Sequence, residues 1–379
     1  MRVHFASRLA VASTIALALA FPACSTDGQA GGGSGGDGGG SGADLAGGNP
    51  NHDGAGAAGD AAGGNGDAGG GTPDMAMMVG AVDPGMDGAK KVARFDLTVP
   101  LGGGGFNSNL ATTVFAPSDD GSTLSKQGGP FPLVIVSPGF QVDRNNYAGY
   151  AHRLASQGIV AVTQAYRSAG DHTQDANDTM TLISWLLAPT GPDAMKVNGC
   201  CDAAKIGLTG HSLGGKVSFF TAEKDARIQA TIGIDPVDGT KPPFGMTQPS
   251  AIAMLGSLHG ASGFMGETIS GSGGMFGMAC APTAENYAAF YASAASPTFA
   301  ITFNGAAHMD FVDSMANCLP CNFCPGSKAD PKRTHDLAVK YVTAFFRVHL
   351  LGDAAAAGYL TGAQFQTDAA TMAVSEVTK

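Results

Sequence analysis

The stretch GLTGHSLGGKV (residues 207–217) decides how the rest of the chain is read. A short apolar run enters the pentapeptide Gly210-His211-Ser212-Leu213-Gly214, and a helix-forming segment leaves it. A serine in a strand-to-helix turn this sharp sits on a strained backbone, so the residues two before and two after it must be small. Serine is also a common helix N-cap, but an N-cap does not require glycine on both sides. Gly-x-Ser-x-Gly alone is a weak signal, and the surrounding elements must supply the rest.

Working outward, the chain alternates short apolar runs with segments of helical periodicity. Residues 92–99 and 110–116 read as two antiparallel entry strands, and 130–139, 159–165, 205–210, 228–235, 249–257 and 297–305 as six more. Helical spacing fills 145–158, 173–188, 213–224, 283–295 and 332–351. Eight strands with crossover helices predict an α/β fold, a mostly parallel eight-stranded sheet with helices on both faces. Ligands of such sheets sit at the carboxyl ends of the strands.

Four stretches at those ends form a chemical set. Ser212 follows the fifth strand and is the candidate nucleophile. His308, just beyond the last strand, is the candidate base; His259, after the apolar run 249–257, is the runner-up. The imidazole needs an orienting carboxylate between them in sequence, and Glu223, Asp225, Asp235, Asp238, Glu267 and Glu285 are available. Asp235 ends an apolar strand, where an ionised carboxylate is costly unless paired, and is the candidate acid; Asp238 is its close rival. The N–H groups of Leu213, after the serine, and of Phe140, in the Ser-Pro-Gly-Phe loop 137–140, are the candidate oxyanion donors. Such chemistry needs no metal and no organic cofactor.

The remainder of the 379-residue chain bounds location and partners. Arg2 and Arg8 precede an apolar run and then Pro22-Ala23-Cys24, which predicts an export signal over 1–23, with Cys24 lipidated or ordinary secretion as the alternative. Residues 24–88 read as a Gly-rich disordered linker, 89–352 as the catalytic domain and 353–379 as a C-terminal tail. The formal net charge is −10. Taking away the linker's nine Asp and the leader's two Arg leaves −3 on the rest, so no basic field invites nucleic acid. Besides Cys24 there are Cys200, Cys201, Cys280, Cys318, Cys321 and Cys324, an even set that reads as disulfides in an exported protein. Cys318-x-x-Cys321 also has zinc spacing. Cys200 and Cys201 are expected to bond elsewhere than to each other. The Gly/Met-rich segment 256–279 reads as an insertion, either an apolar wall or lid over the site or a surface loop.

These residues resemble the α/β-hydrolase superfamily, and within it the chlorophyllase family, over roughly 92–350. The carriers are VIVSPGF (134–140), RLASQGIVAV (153–162), GHSLGGK (210–216), GIDPVDGT (233–240), CAP (280–282) with Phe290-Tyr291, and HMDFVD (308–313). The serine-to-acid spacing is also similar to platelet-activating-factor acetylhydrolases. The Ser-Pro-Gly-aromatic loop is similar to cutinase-like polyester hydrolases. The resemblance implies a serine carboxylic-ester hydrolase with the triad Ser212, Asp235 and His308, acting on a small-molecule or lipid-like ester. Leu213 stands where plant chlorophyllases carry arginine. A lipase, polyester hydrolase or acyltransferase with the same triad, and a catalytically silent surface lipoprotein, are the alternatives. An exported protein, tethered to the cell envelope through Cys24 or secreted, is expected.

Overall fold

Strand β3 (Phe131–Ser137) shows why the sheet forms where it does: all seven residues are buried. Leu133 and Ile135 pack into one apolar cluster and Val134 and Val136 into another, so both faces are covered. A near-continuous apolar run is what a parallel strand buried on both sides demands. The computed structural model of the protein describes residues 82–379, apart from 103–107, 168–169, 242–246, 275–278, 316–317, 319 and 372. The leader, Cys24 and the linker through residue 81 lie outside the described residues.

Strands β1 (Lys91–Pro100), β2 (Asn109–Ser118), β3, β4 (Val160–Gln164), β5 (Cys201–His211), β6 (Ile228–Ile234), β7 (Ala261–Glu267), β8 (Thr298–Phe303) and β9 (Val374–Thr378) form one sheet. Its order is β1-β2-β4-β3-β5-β6-β7-β8-β9. From β4 to β8 every neighbour is parallel; β1, β2 and β9 pair antiparallel at the edges. Helices α1 (Ala148–Ser156) and α6 (Pro331–Leu351) pack against the cluster on one face. Helices α2 (His172–Leu187), α4 (Leu213–Lys224) and α5 (Tyr287–Ser293) contribute to the clusters on the other. Between α2 and α4 lies one turn, α3 (Ala194–Val197). This is the α/β-hydrolase fold the sequence led us to expect, with nine strands rather than eight.

The differences have physical causes. The ninth strand comes from 353–379, expected to trail the domain. That segment instead carries α7 (Gly358–Thr361), α8 (Ala363–Thr371) and β9, which closes the free edge of β8. Residues 82–88, expected in the linker, are held by the domain: Gly88 N–H donates to Ser156 Oγ at 2.9 Å and Arg347 Nη1 donates to the Val82 carbonyl at 2.5 Å.

The seventh strand is not 249–257. There a 3-10 turn spans Ile252–Ser257, and β7 begins only at Ala261, inside the expected Gly/Met-rich insertion. Short apolar runs fit a strand or a helical turn equally well. The glycines that made 261–267 resemble a loop are packing residues. A Cβ on Gly263 would lie 2.7 Å from the Phe299 ring, and one on Gly266 would lie 1.9 Å from Tyr287.

Deleting residues 373–379 should uncover the β8 edge and remove Val374, which is buried. Losing one buried valine and its ladder costs roughly 2 kcal/mol. A thermal melt should then fall by roughly 4–8 °C; an unchanged melt would show that β9 adds nothing to the sheet.

Candidate active site

Three non-glycine residues among those described have positive φ: Gln141 at 56°, Ser212 at 56° and Asp235 at 41°. All three follow carboxyl ends of neighbouring strands, β3, β5 and β6. Backbone strain costs of order 1–3 kcal/mol per residue and gathers at functional sites.

The elbow at Ser212 exists because three glycines let backbones nearly touch. A Cβ on Gly210 would sit 2.4 Å from Gly214, one on Gly214 would sit 2.1 Å from the Ser137 carbonyl oxygen, and one on Gly215 would sit 2.6 Å from Pro236. Ser212 precedes α4 but its hydroxyl does not cap the helix. Within 206–222 it is the one residue that is not buried. The hydroxyl is therefore free for chemistry rather than spent on capping.

His308 begins a 3-10 turn (His308–Phe311) after β8 and is buried. Its Nδ1 lies 2.6 Å from Asp235 Oδ2, so the sequence-predicted acid and base meet. Burial disfavours the imidazolium and pushes the His308 pKa down to about 4, leaving a neutral base at neutral pH. Burial pushes Asp235 up, and the Glu267 backbone N–H opposes it. Asp238, the rival acid, is committed elsewhere. It forms a fully buried ion pair with Lys216 at 3.5 Å and accepts from Ser250 Oγ at 2.6 Å and Ala251 N–H at 2.7 Å. His259 is exposed, two residues before the amino end of β7, and joins none of these groups.

The oxyanion candidates fit their loop. Val142 N–H donates to the Gly139 carbonyl, which turns the chain at Phe140, and the Phe140 ring is 47 % exposed. Leu213 opens α4, where the first N–H groups have no intrahelical acceptor. Among the described residues neither the Phe140 nor the Leu213 N–H donates to another backbone group.

The cysteines pair as Cys200–Cys201, Cys280–Cys324 and Cys318–Cys321. The expectation that Cys200 and Cys201 bond elsewhere is corrected: the other four satisfy one another in the loops beyond β7 and β8. Cys280–Cys324 ties those two loops together, closing 44 residues of chain. That constraint is worth on the order of 4 kcal/mol. Cys318-x-x-Cys321 is a disulfide, not a zinc pair.

Glu267, one of the six available carboxylates, gains its place from the seventh strand, which lies later in the chain than the apolar run 249–257 suggests. With β7 ending at Glu267, its carboxyl group enters the site. Atoms of Asp235, Glu267 and His308 lie within 4.8 Å of one another, all buried. This is the one acid/histidine/cysteine cluster among the described residues dense enough for a metal, and His308 Nδ1 is already committed to Asp235. Glu267 accepts from the N–H groups of Ile269 and Ser270, shaping the loop whose Ser270 Oγ accepts from His308 N–H at 2.9 Å.

Burial, then the neighbouring Asp235, raise the Glu267 pKa from 4.5 to about 7. The folded protein therefore holds a proton that the unfolded chain releases. Stability from this group is full below pH 4.5 and is lost as pH rises to about 7. Glu267→Gln removes the dependence. Its unfolding free energy, read from denaturant melts, should gain on the wild type between pH 5 and pH 8 by an amount on the order of 2 kcal/mol. A constant difference at every pH would refute the raised pKa.

A family model described as chlorophyllase matches residues 117–372. Chlorophyllase-2 of Arabidopsis thaliana is 26% identical over 245 residues, 59% of this chain and 75% of the relative. A bis(hydroxyethyl) terephthalate hydrolase of Streptomyces coelicolor is 32% identical over 129 residues, 34% of this chain and 40% of the relative. The platelet-activating factor acetylhydrolase of Cavia porcellus is 24% identical over 190 residues, 37% of this chain and 43% of the relative.

Proposed function

Because the chain belongs to the chlorophyllase family, we propose that it is a serine carboxylic-ester hydrolase acting through Ser212, His308 and Asp235. The observation that carries this reading is the 2.6 Å bond between buried His308 and buried Asp235, delivered from separate strand ends beyond the neighbouring strand end that carries half-buried Ser212.

In the proposed cycle Ser212 Oγ attacks the ester carbonyl carbon while His308 Nε2 takes its proton. Asp235 holds Nδ1–H and stabilises the imidazolium that forms. The Leu213 and Phe140 N–H groups receive the developing oxyanion. The C–O bond to the alcohol breaks and His308 returns the proton to the departing oxygen. Water then adds to the acyl-enzyme, with His308 again as base, and releases the acid and free Ser212.

The substrate class is a small-molecule or lipid-like ester. Chlorophyll esters and aromatic polyester fragments are both candidates, since the relatives include a chlorophyllase and a terephthalate ester hydrolase. Export and a tether through lipidated Cys24 complete the proposal, supported by the leader composition. Among the described residues no helix is long and apolar enough to cross a membrane.

Hydrolysis of p-nitrophenyl butyrate by the oxidised full chain tests the chemistry. Ser212→Ala should lower kcat by at least about 10³-fold, and Asp235→Asn by on the order of 10³–10⁴-fold. Activity surviving in Ser212→Ala would remove the mechanism; no turnover by a folded wild type would favour the silent-lipoprotein reading. Asp238→Ala separates the two acids by the opposite pattern. It strands the buried Lys216 charge and should cost about 3–5 kcal/mol of stability, while kcat of the folded fraction stays near wild type.

A further inference from the structure

Beside the candidate triad runs a second buried chain of polar groups that the proposed mechanism does not use. Gly139 N–H donates to Tyr147 Oη at 3.0 Å. Tyr147 Oη lies 2.9 Å from His211 Nδ1. His211 Nε2 lies 2.9 Å from the backbone carbonyl oxygen of His308. Tyr147 and His211 are fully buried. The chain begins one residue before Phe140, passes through the residue before Ser212, and ends on His308 itself.

We propose that Tyr147 and His211 form a hydrogen-bond relay that positions the oxyanion loop and the base histidine relative to Ser212. The proposal deepens the ester-hydrolase reading and rests on it. The direction of every bond is fixed by elementary chemistry. A carbonyl oxygen only accepts, so His211 Nε2 carries hydrogen and donates to His308. A neutral imidazole then accepts at Nδ1, so Tyr147 O–H donates there, and the Tyr147 oxygen accepts from Gly139. Donors and acceptors match along the whole chain, with none left over.

Burial keeps the chain in this state. Desolvation, and then the neighbouring His308, press His211 well below its ordinary pKa, so it stays neutral. The groups facing it are Tyr147, His308 and the Phe311 ring, with His308 nearest at 4.5 Å between ring centroids. The packing leaves no slack: a Cβ on Gly139 would lie 3.2 Å from both His211 Nδ1 and Tyr147 Oη.

The relay supplies the last of three anchors on His308. Its side chain is held by Asp235, its N–H by Ser270 Oγ and its carbonyl by His211. Because His211 and Ser212 are consecutive, a shift of the base drags the elbow with it. Loss of the relay therefore lets the proton acceptor and the oxyanion donors drift, which slows the chemical step more than ester binding.

The test uses the oxidised full chain and two readouts. One is kcat and KM on p-nitrophenyl butyrate. The other is the rate of phosphonylation by a fluorophosphonate, in which the Ser212 Oγ–P bond forms, the P–F bond breaks, fluoride leaves and His308 takes the proton. Tyr147→Phe should lower kcat and the labelling rate about 10–100-fold with KM within about twofold. His211→Gln, which keeps a donor for the His308 carbonyl, should retain more activity than His211→Leu. A Tyr147→Phe enzyme that melts lower yet keeps wild-type kcat and labelling overturns the proposal, since the pair would then be structural only.

A third readout needs no catalysis. Imidazole ¹⁵N resonances should show His211 protonated at Nε2, bare at Nδ1 and unchanged from about pH 5 to pH 8, with Nδ1 shifting in Tyr147→Phe. A His211 that titrates in that range overturns the relay, whether or not the protein hydrolyses esters.

Discussion

The near-contact of backbones at Gly210, Gly214 and Gly215 is what everything else at the site depends on. It lets α4 start directly above β5, against Ser137 at the end of β3 and Pro236 beyond β6. Ser212 is forced to φ 56° and ψ −120°, and that strain must be offset locally. Its N–H donates to the Ile234 carbonyl, and its own carbonyl accepts from Gly215, Lys216 and Val237. At roughly 0.5–1.5 kcal/mol for each hydrogen bond, these can hold the elbow against strain of order 1–3 kcal/mol. Two of the bonds reach across to β6 and its following loop. The positions of the proposed nucleophile and the proposed acid are therefore set together, and Asp235, itself at positive φ, shares in the same constraint.

That coupling explains which parts of the site were legible in sequence. The buried stretches of β3, β5 and β6 are apolar and run into Pro-Gly, Gly-x-Ser-x-Gly and Asp-Pro. Their apolar pattern and their terminal residues point the same way, so the positions of Ser212, Asp235 and the Phe140 loop beyond strand ends were legible. Strand β7 fails both tests. Its sequence ASGFMGE has glycines where a strand pattern wants side chains, because the Phe299 and Tyr287 rings occupy that space. Only the tertiary packing says so. Misplacing β7 hid the place of Glu267, whose significance depends on ending a strand. His211 was legible only as a neighbour of the serine. Its role depends on Tyr147 and His308, which are 64 and 97 residues distant.

Three buried acids lie at or just beyond the carboxyl ends of β6 and β7, and each faces different groups. Asp238 faces Lys216, whose side chain has no solvent exposure and also lies 5.5 Å from the Phe220 ring centre. Burying such a pair costs several kcal/mol of desolvation, so its benefit is not net stability. It lies in fixing where the loop after β6 meets α4, because neither charge can move without stranding the other. Asp235 faces a neutral imidazole, which needs a carboxylate only as charge develops on His308. Glu267 faces neither a cation nor the imidazole's free hydrogen, only backbone N–H groups and Asp235, so a proton stays on it into the neutral range. Two ionised carboxylates this close in a dry site would repel, and one proton between them removes the conflict. Burial pushes the Asp235 carboxyl up as well, and its 2.6 Å contact with His308 Nδ1 is the one that the proposed chemistry requires it to keep.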